Sequence, residues 1–152
     1  MRETVLRIGL AVLAVPAAVV GVWAGLAPRS FYDDFPGFGQ VWVAPDGPFN
    51  EHLVRDVGAL NLGLAIVTVG ALITLATALV RWVLVAWIVE GVMHAVYHSR
   101  HLDPFSTADS VSIMAGLVMV PVLAAALLFV LREPRPQPVR APAGSPPARS
   151  TA

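Results

Sequence analysis

Long apolar runs separated by short polar breaks make up most of this chain, and the spacing of the breaks predicts four helices. The first run covers residues 4–27 and is preceded by Arg2 and Arg7. At a rise of about 1.5 Å per residue it is long enough to cross a ~30 Å hydrocarbon core. A cleaved signal peptide competes for this segment, because Ala24 and Ala27 are small. The run exceeds a usual signal-peptide core, however, and Pro28 would follow the cut, so a retained helix is expected. Pro16 should kink it, and Gly21-x-x-x-Gly25 offers a close helix–helix contact. The second run covers 51–79, where beyond Val57 only Asn61 and three threonines interrupt the apolar pattern. Arg81 marks a very short turn before the third helix, 82–99. After a loop, Ser106 with Asp109 three residues later has the pattern of a capping box, which predicts a fourth helix over 107–131 that Pro121 should kink. Residues 132–152 change to Pro, Arg, Ala and Ser, cannot build a core, and are expected to form a disordered tail.

The longest polar connection, residues 28–50, holds Phe31, Tyr32, Phe35, Phe38, Trp42 and Phe49 among Asp33, Asp34, Asp46 and several Gly and Pro. Two readings stand side by side: an aromatic belt at the membrane interface, or an ordered cap over the helix ends. Short connections between the later helices make neighbours antiparallel. The expected fold is therefore all-α, an integral-membrane up-down bundle of four transmembrane helices over residues 1–131, with an aromatic-rich outer loop between the first two. Seven arginines (2, 7, 81, 132, 135, 140 and 149) fall on the N-terminus, the Arg81 turn and the tail. The opposite side holds Arg29 and Arg100, with Arg55 just inside the helix. The positive-inside rule then puts both termini in the cytoplasm of a multi-pass plasma-membrane protein.

Composition supports the membrane reading. The chain is 57% hydrophobic and 13% charged, against about 25% charged residues in a typical soluble domain, so the bilayer is its expected principal partner. A formal net charge of zero removes a broad electrostatic case for nucleic acid. No cysteine is present, which excludes disulfides, iron–sulfur clusters and thiolate metal sites. Any metal would need histidine and carboxylate ligands.

Candidate chemistry gathers on the third helix. Glu90, His94, His98 and His101 are spaced by four, four and three, which confines them to about 80° of one helical face. Tyr97 sits among them. Ionisable groups at membrane depth are expensive and by default mark a site or a buried partner. The second helix opens with Glu51, His52, Arg55 and Asp56. Counting inward, His52 and His98 lie near the surface, Arg55, Asp56 and His94 a turn deeper, and Glu90 and Asn61 about 14 Å in. Adjacent residues on a helix do not face each other. Asp56 is therefore expected near His94 or His98, Arg55 near Glu90 or a loop carboxylate, and Asn61 against another helix.

Three readings of the cluster stay open. In the first, His94 and His98 chelate a metal ion at i and i+4, with Asp56 or Glu51 adding oxygen, or a haem is held between His52 and a third-helix histidine. His101 lies ~10 Å along the axis from His94, too far to share one ion with it. A carboxylate-bridged di-iron bundle wants paired Glu-x-x-His motifs, and this chain has a single Glu-x-x-x-His. In the second, the cluster forms a polar pocket for a small ligand, headgroup or proton. In the third, it is a satisfied network holding two helices in register. No Gly-x-Ser-x-Gly elbow appears, which argues against a nucleophilic hydrolase. The leading expectation is non-enzymatic: ligand or lipid binding, or an accessory role beside a membrane-protein partner or in a homo-oligomer. The alternative is a small metal- or haem-dependent membrane enzyme using the Glu90/His94/His98 face.

Three segments, Pro28-Arg-Ser-Phe-Tyr-Asp-Asp-Phe-Pro36, Asn50-Glu-His-Leu-Val-Arg-Asp-Val-Gly58 and His94-x-x-x-His98-x-x-His101-Leu-Asp103, together resemble a group of uncharacterised four-helix integral membrane proteins of actinobacteria. The resemblance covers about residues 5 to 131 and implies membrane location and four helices, with no activity to carry over. A looser likeness to DoxX-like four-helix membrane proteins rests on size and topology alone.

Overall fold

In the computed structural model, which describes residues 1–132, the chain folds as α1 (Arg2–Leu26), α2 (Pro28–Asp34), β1 (Pro36–Gly37), β2 (Gln40–Val41), a 3-10 turn (Ala44–Asp46), α3 (Glu51–Thr74), α4 (Thr77–His98) and α5 (Thr107–Arg132). Helices α1, α3, α4 and α5 are each long and apolar enough to cross a membrane. Their outward faces carry large apolar side chains such as Ile8, Val15, Leu60, Ile66 and Phe129, a surface that a water-soluble monomer rarely presents.

The inward face of α1 reads Leu6, Leu10, Leu13, Ala17 and Ala24, spaced as one side of a helix. Its main partner is α3, which buries mostly small residues: Gly58, Ala65, Thr68 and Ala71. Small residues let helix backbones approach closely. At Gly21 an added Cβ would lie 2.7 Å from the backbone nitrogen of Leu62, and at Gly58 it would overlap the backbone of Gly25. The Gly21-x-x-x-Gly25 stretch is thus used as expected, in a seam against α3. The second close pair is α4 with α5, where Gly91 lies against the Pro121 ring and a Cβ there would meet Pro121 Cδ at 2.6 Å. Leu127 of α5 fills the space over Gly9, which joins the two pairs. One apolar core, including Leu10, Ala65, Leu84, Trp87, Ala124 and Leu127, runs through all four long helices.

The boundary between α3 and α4 falls earlier than the hydrophobic pattern indicates. The turn is Leu75–Ala76, with Leu75 in the left-handed region (φ 48°) and Ala76 extended, so α3 is shorter than 51–79 and Arg81 lies inside α4. Thr74 assists by bonding back to the Gly70 carbonyl through Oγ1 (2.8 Å). With no Gly or Pro to mark it, the turn is hidden in an uninterrupted apolar run. The N-cap half of the expected capping box is formed, the Asp109 amide donating to Ser106 Oγ (3.1 Å), while the return bond to Asp109 Oδ2 comes from the Ser106 hydroxyl (2.6 Å) and not from its backbone N–H. Pro16 and Pro121 both lie within their helices. The expectation for residues beyond Arg132 lies outside the described residues.

Arginine closes three helix ends. The last carbonyls of a helix have no partner within it and carry partial negative charge. Arg7 Nη1 donates to the carbonyls of Leu72 (2.5 Å) and Ile73 (3.3 Å) at the end of α3. Arg2 donates to those of Val130 and Leu131 at the end of α5. Arg55 of α3 donates to the Gly25 carbonyl at the end of α1. Each contact joins two helices that already pack together.

Candidate functional site

The 28–50 connection is an ordered cap. Phe31 is buried with Ala24 and Val54, and it packs with Phe35 at a ring separation of 4.7 Å, with Trp23 edge-on to both. The Tyr32 hydroxyl donates to the carbonyls of Ala44 (3.2 Å) and Gly47 (2.6 Å), which fixes the 3-10 turn. Arg29 forms a two-pronged pair with Asp33 (2.7 and 2.9 Å) and lies over the Tyr32 and Phe49 rings. Its hydrogen bond to Asp33, with the attraction of that charge, raises its pKa above the usual arginine value. Across the hairpin, Trp42 Nε1 donates to Asp109 Oδ1 (3.0 Å) and so fastens the cap to the start of α5. The hairpin tip Gly37-Phe38-Gly39 has positive φ throughout (96°, 59° and 82°), a conformation that costs glycine nothing. It leaves Phe38 fully exposed.

Three ionisable pairs of α3 and α4 form along their own helices. His52 Nε2 lies 3.4 Å from Asp56, Arg55 lies 2.9 Å from Glu51, and His94 Nδ1 lies 3.3 Å from Glu90, each an i, i+4 pair. The expected meeting of Asp56 with His94 or His98, and of Arg55 with Glu90 or a loop carboxylate, does not occur. The reason is the choice of helix partner. The glycine seam brings α3 against α1, so Arg55 finds the Gly25 carbonyl. Helices α3 and α4 share the apolar core and are joined by the buried Trp87 Nε1–Thr68 Oγ1 bond (3.0 Å). Asn61 bonds to the Val57 carbonyl of its own helix (3.0 Å) and not to another helix as expected.

The histidines occupy different surroundings. His98 is half-buried, on the same helical stripe as Val80, Leu84, Trp87 and Gly91. Its Nδ1 is enclosed and finds no hydrogen-bond partner among the described residues. His94 and His98 have ring centroids 5.0 Å apart. His101 lies beyond the helix end, stacked on Tyr97 at 4.1 Å, with its Nδ1 2.8 Å from the Tyr97 carbonyl. Among the described residues no three His, Asp or Glu side chains converge as a metal-binding group. The pair His94/His98 thus has no third ligand there, and Asp56 and Glu51 do not join it.

Sequence reasoning missed the space beside this cluster. Helices α3 and α4 flank an open apolar groove of about 470 Å³, lined by Ala59, Leu60, Gly63 and Val67 on one side and Leu79, Trp82 and Ala86 on the other. Small residues keep its wall low: a Cβ at Gly63 would meet no protein atom within 4 Å. Trp82 is 69% exposed there. Glu90 follows Ala86 by four residues, and Asp56 precedes Leu60 by four, so each continues a lining stripe by one helical turn. Glu90 and Asp56 are 42% and 55% exposed. The signal was available as the stripe 79-82-86-90 on α4 and 56-60-63-67 on α3, but only a structure shows that the facing stripes are left uncovered. Comparison of the chain with protein families, with curated proteins and with solved structures finds no match.

Proposed function

We propose that the protein is a non-enzymatic, multi-pass plasma-membrane protein that binds an amphiphilic, lipid-like ligand in the α3/α4 groove. The observation that carries this reading is the continuity of an almost wholly apolar groove with the half-exposed ionisable residues Asp56 and Glu90 on its own lining stripes. A ligand with an apolar chain and a polar head matches that gradient. In this reading α1, α3, α4 and α5 cross the bilayer as an up-down bundle with both termini cytoplasmic. Its support is the share of arginine at one end, where Arg2, Arg7, Arg81 and Arg132 lie, and the positive-inside rule. The aromatic cap and the outer turns of α3 and α4 then face outward.

The test is native mass spectrometry of the detergent-purified protein beside a Gly63→Phe variant, which adds a bulky side chain on the groove wall at a position where the first added carbon meets nothing within 4 Å. A bound amphiphile retained by the wild type and lost in the variant is the expected result. Near-stoichiometric metal or haem in the wild type, lost in a His94→Ala, His98→Ala double variant, would overturn this reading in favour of a metal- or haem-dependent enzyme.

A further inference from the structure

We infer that Phe38, at the tip of the β1–β2 hairpin, anchors the aromatic cap in the headgroup zone of the bilayer. The inference is independent of the α3/α4 groove. With Pro36 opposite Val41 and Gly37 opposite Gln40, Phe38 and Gly39 are the two central residues of the turn. Both have positive φ (59° and 82°), as a type I′ turn demands of its central pair. Asn, Asp or Gly suits the first of these positions, whereas a bulky side chain there is a strained outlier. Contacts inside the protein do not offset that strain. Phe38 is fully exposed and, among the described residues, takes no part in the ring contacts that build the cap. A side chain that strains its turn and touches nothing in the fold points to a contact outside it.

Two observations identify that contact as lipid. The first is where the hairpin is fastened. Gln40 Nε2 and Trp42 Nε1 lie 3.5 and 3.0 Å from the same atom, Asp109 Oδ1. Strand β2 therefore crosses the first turn of α5, and Phe38 follows two residues from Gln40, at most about 7 Å at the rise of a strand. Helix α5 has 26 residues, about 39 Å of helix against a ~30 Å hydrocarbon core. Spanning the bilayer, it leaves its first turn in the headgroup zone, and the hairpin tip stands at that level. The second observation is composition. Residues 35–45 carry no charged side chain, although Asp34 and Asp46 bound them directly. An uncharged loop with an aromatic tip enters the interface without desolvating a charge, and aromatic side chains concentrate there.

The experiment uses the full-length protein in phosphatidylcholine nanodiscs. The chain has no cysteine, so Phe38→Cys takes a single nitroxide label, and Gly47→Cys, beside Asp46, supplies a comparison on the cap. Collisions of each label are measured with oxygen, which enters lipid, and with a water-soluble nickel chelate. At position 38 the chelate should collide at least about threefold less than at position 47 while oxygen collisions are retained, as expected of a side chain in the interfacial layer. Equal chelate collisions at the two positions would place the tip in water and overturn the inference. Loss of both oxygen and chelate collisions at position 38 would mean that protein covers it, a second copy or another partner, and would overturn it too. A second measurement leaves the hairpin unlabelled: amide hydrogen exchange of residues 36–43 in the wild type and in Phe38→Asn. Asn suits the turn, so a role confined to the fold predicts unchanged or slower exchange. Loss of the lipid contact predicts exchange at least about threefold faster, and unchanged exchange would overturn the inference.

Discussion

The two faces of α3 differ in how they meet their neighbours. Toward α1, glycine and alanine let the backbones touch, and Arg55 and Arg7 tie the ends of α1 and α3 together. Toward α4, the shared apolar core, a turn and one buried hydrogen bond hold the helices, and a groove opens beside them. The same kind of residue has opposite consequences on the two sides. Gly58 and Gly21 are filled by a neighbouring backbone, whereas Gly63 faces open space. A small residue therefore closes a seam only where the partner helix is already committed to approach; elsewhere it leaves room. In lipid this difference matters, because tight packing and interhelical hydrogen bonds carry helix association where no hydrophobic force distinguishes a helix from a lipid tail.

Substitutions should separate the two faces, the largest effects falling on the closed one. Gly58→Leu cannot be accommodated, since the first added carbon already overlaps the Gly25 backbone. It should cost at least about 3 kcal/mol, at or beyond the upper end for overpacked cores, and should show as loss of monodisperse protein in detergent. Next comes Thr68→Val, which keeps the shape and leaves the buried Trp87 N–H without its acceptor. A loss of about 1–3 kcal/mol is expected, measured by thermal unfolding. Arg7→Gln removes the cap over Leu72 and Ile73 and should cost less, about 1 kcal/mol at a helix C-terminus. Gly63→Phe should change stability by less than about 0.5 kcal/mol, as surface substitutions do, while eliminating amphiphile binding. Equal destabilisation by Gly58→Leu and Gly63→Phe would erase the distinction between the faces.

The apolar runs made four helices legible, and Ser106 with Asp109 announced the start of the last. What could not be read was which helices would be partners. A hydrophobic pattern shows that a face is to be covered and not by what, and in lipid even that signal is weak because the outward faces are as apolar as the inward ones. Placing Asp56 opposite His94 followed from equal depth and sequence adjacency, but α3 turned its small residues to α1, and Asp56, Glu90 and Asn61 found partners along their own helices. The turn at Leu75–Ala76 carried no breaker residue, so Arg81 drew the boundary too late. The cap was half legible: its aromatic residues marked it, while the Trp42–Asp109 bond that fastens it joins positions 67 apart in sequence.

The central claim is that the α3/α4 face is an open site for an amphiphile, and Trp82 on its wall reports on it directly. A dodecyl probe brominated on its chain should quench tryptophan fluorescence of the nanodisc-embedded protein saturably, and Trp82→Phe or Gly63→Phe should remove the saturable part. Quenching that rises linearly with probe, unchanged by either substitution, would mean that the face meets bulk lipid only, and the account of a binding groove would fail.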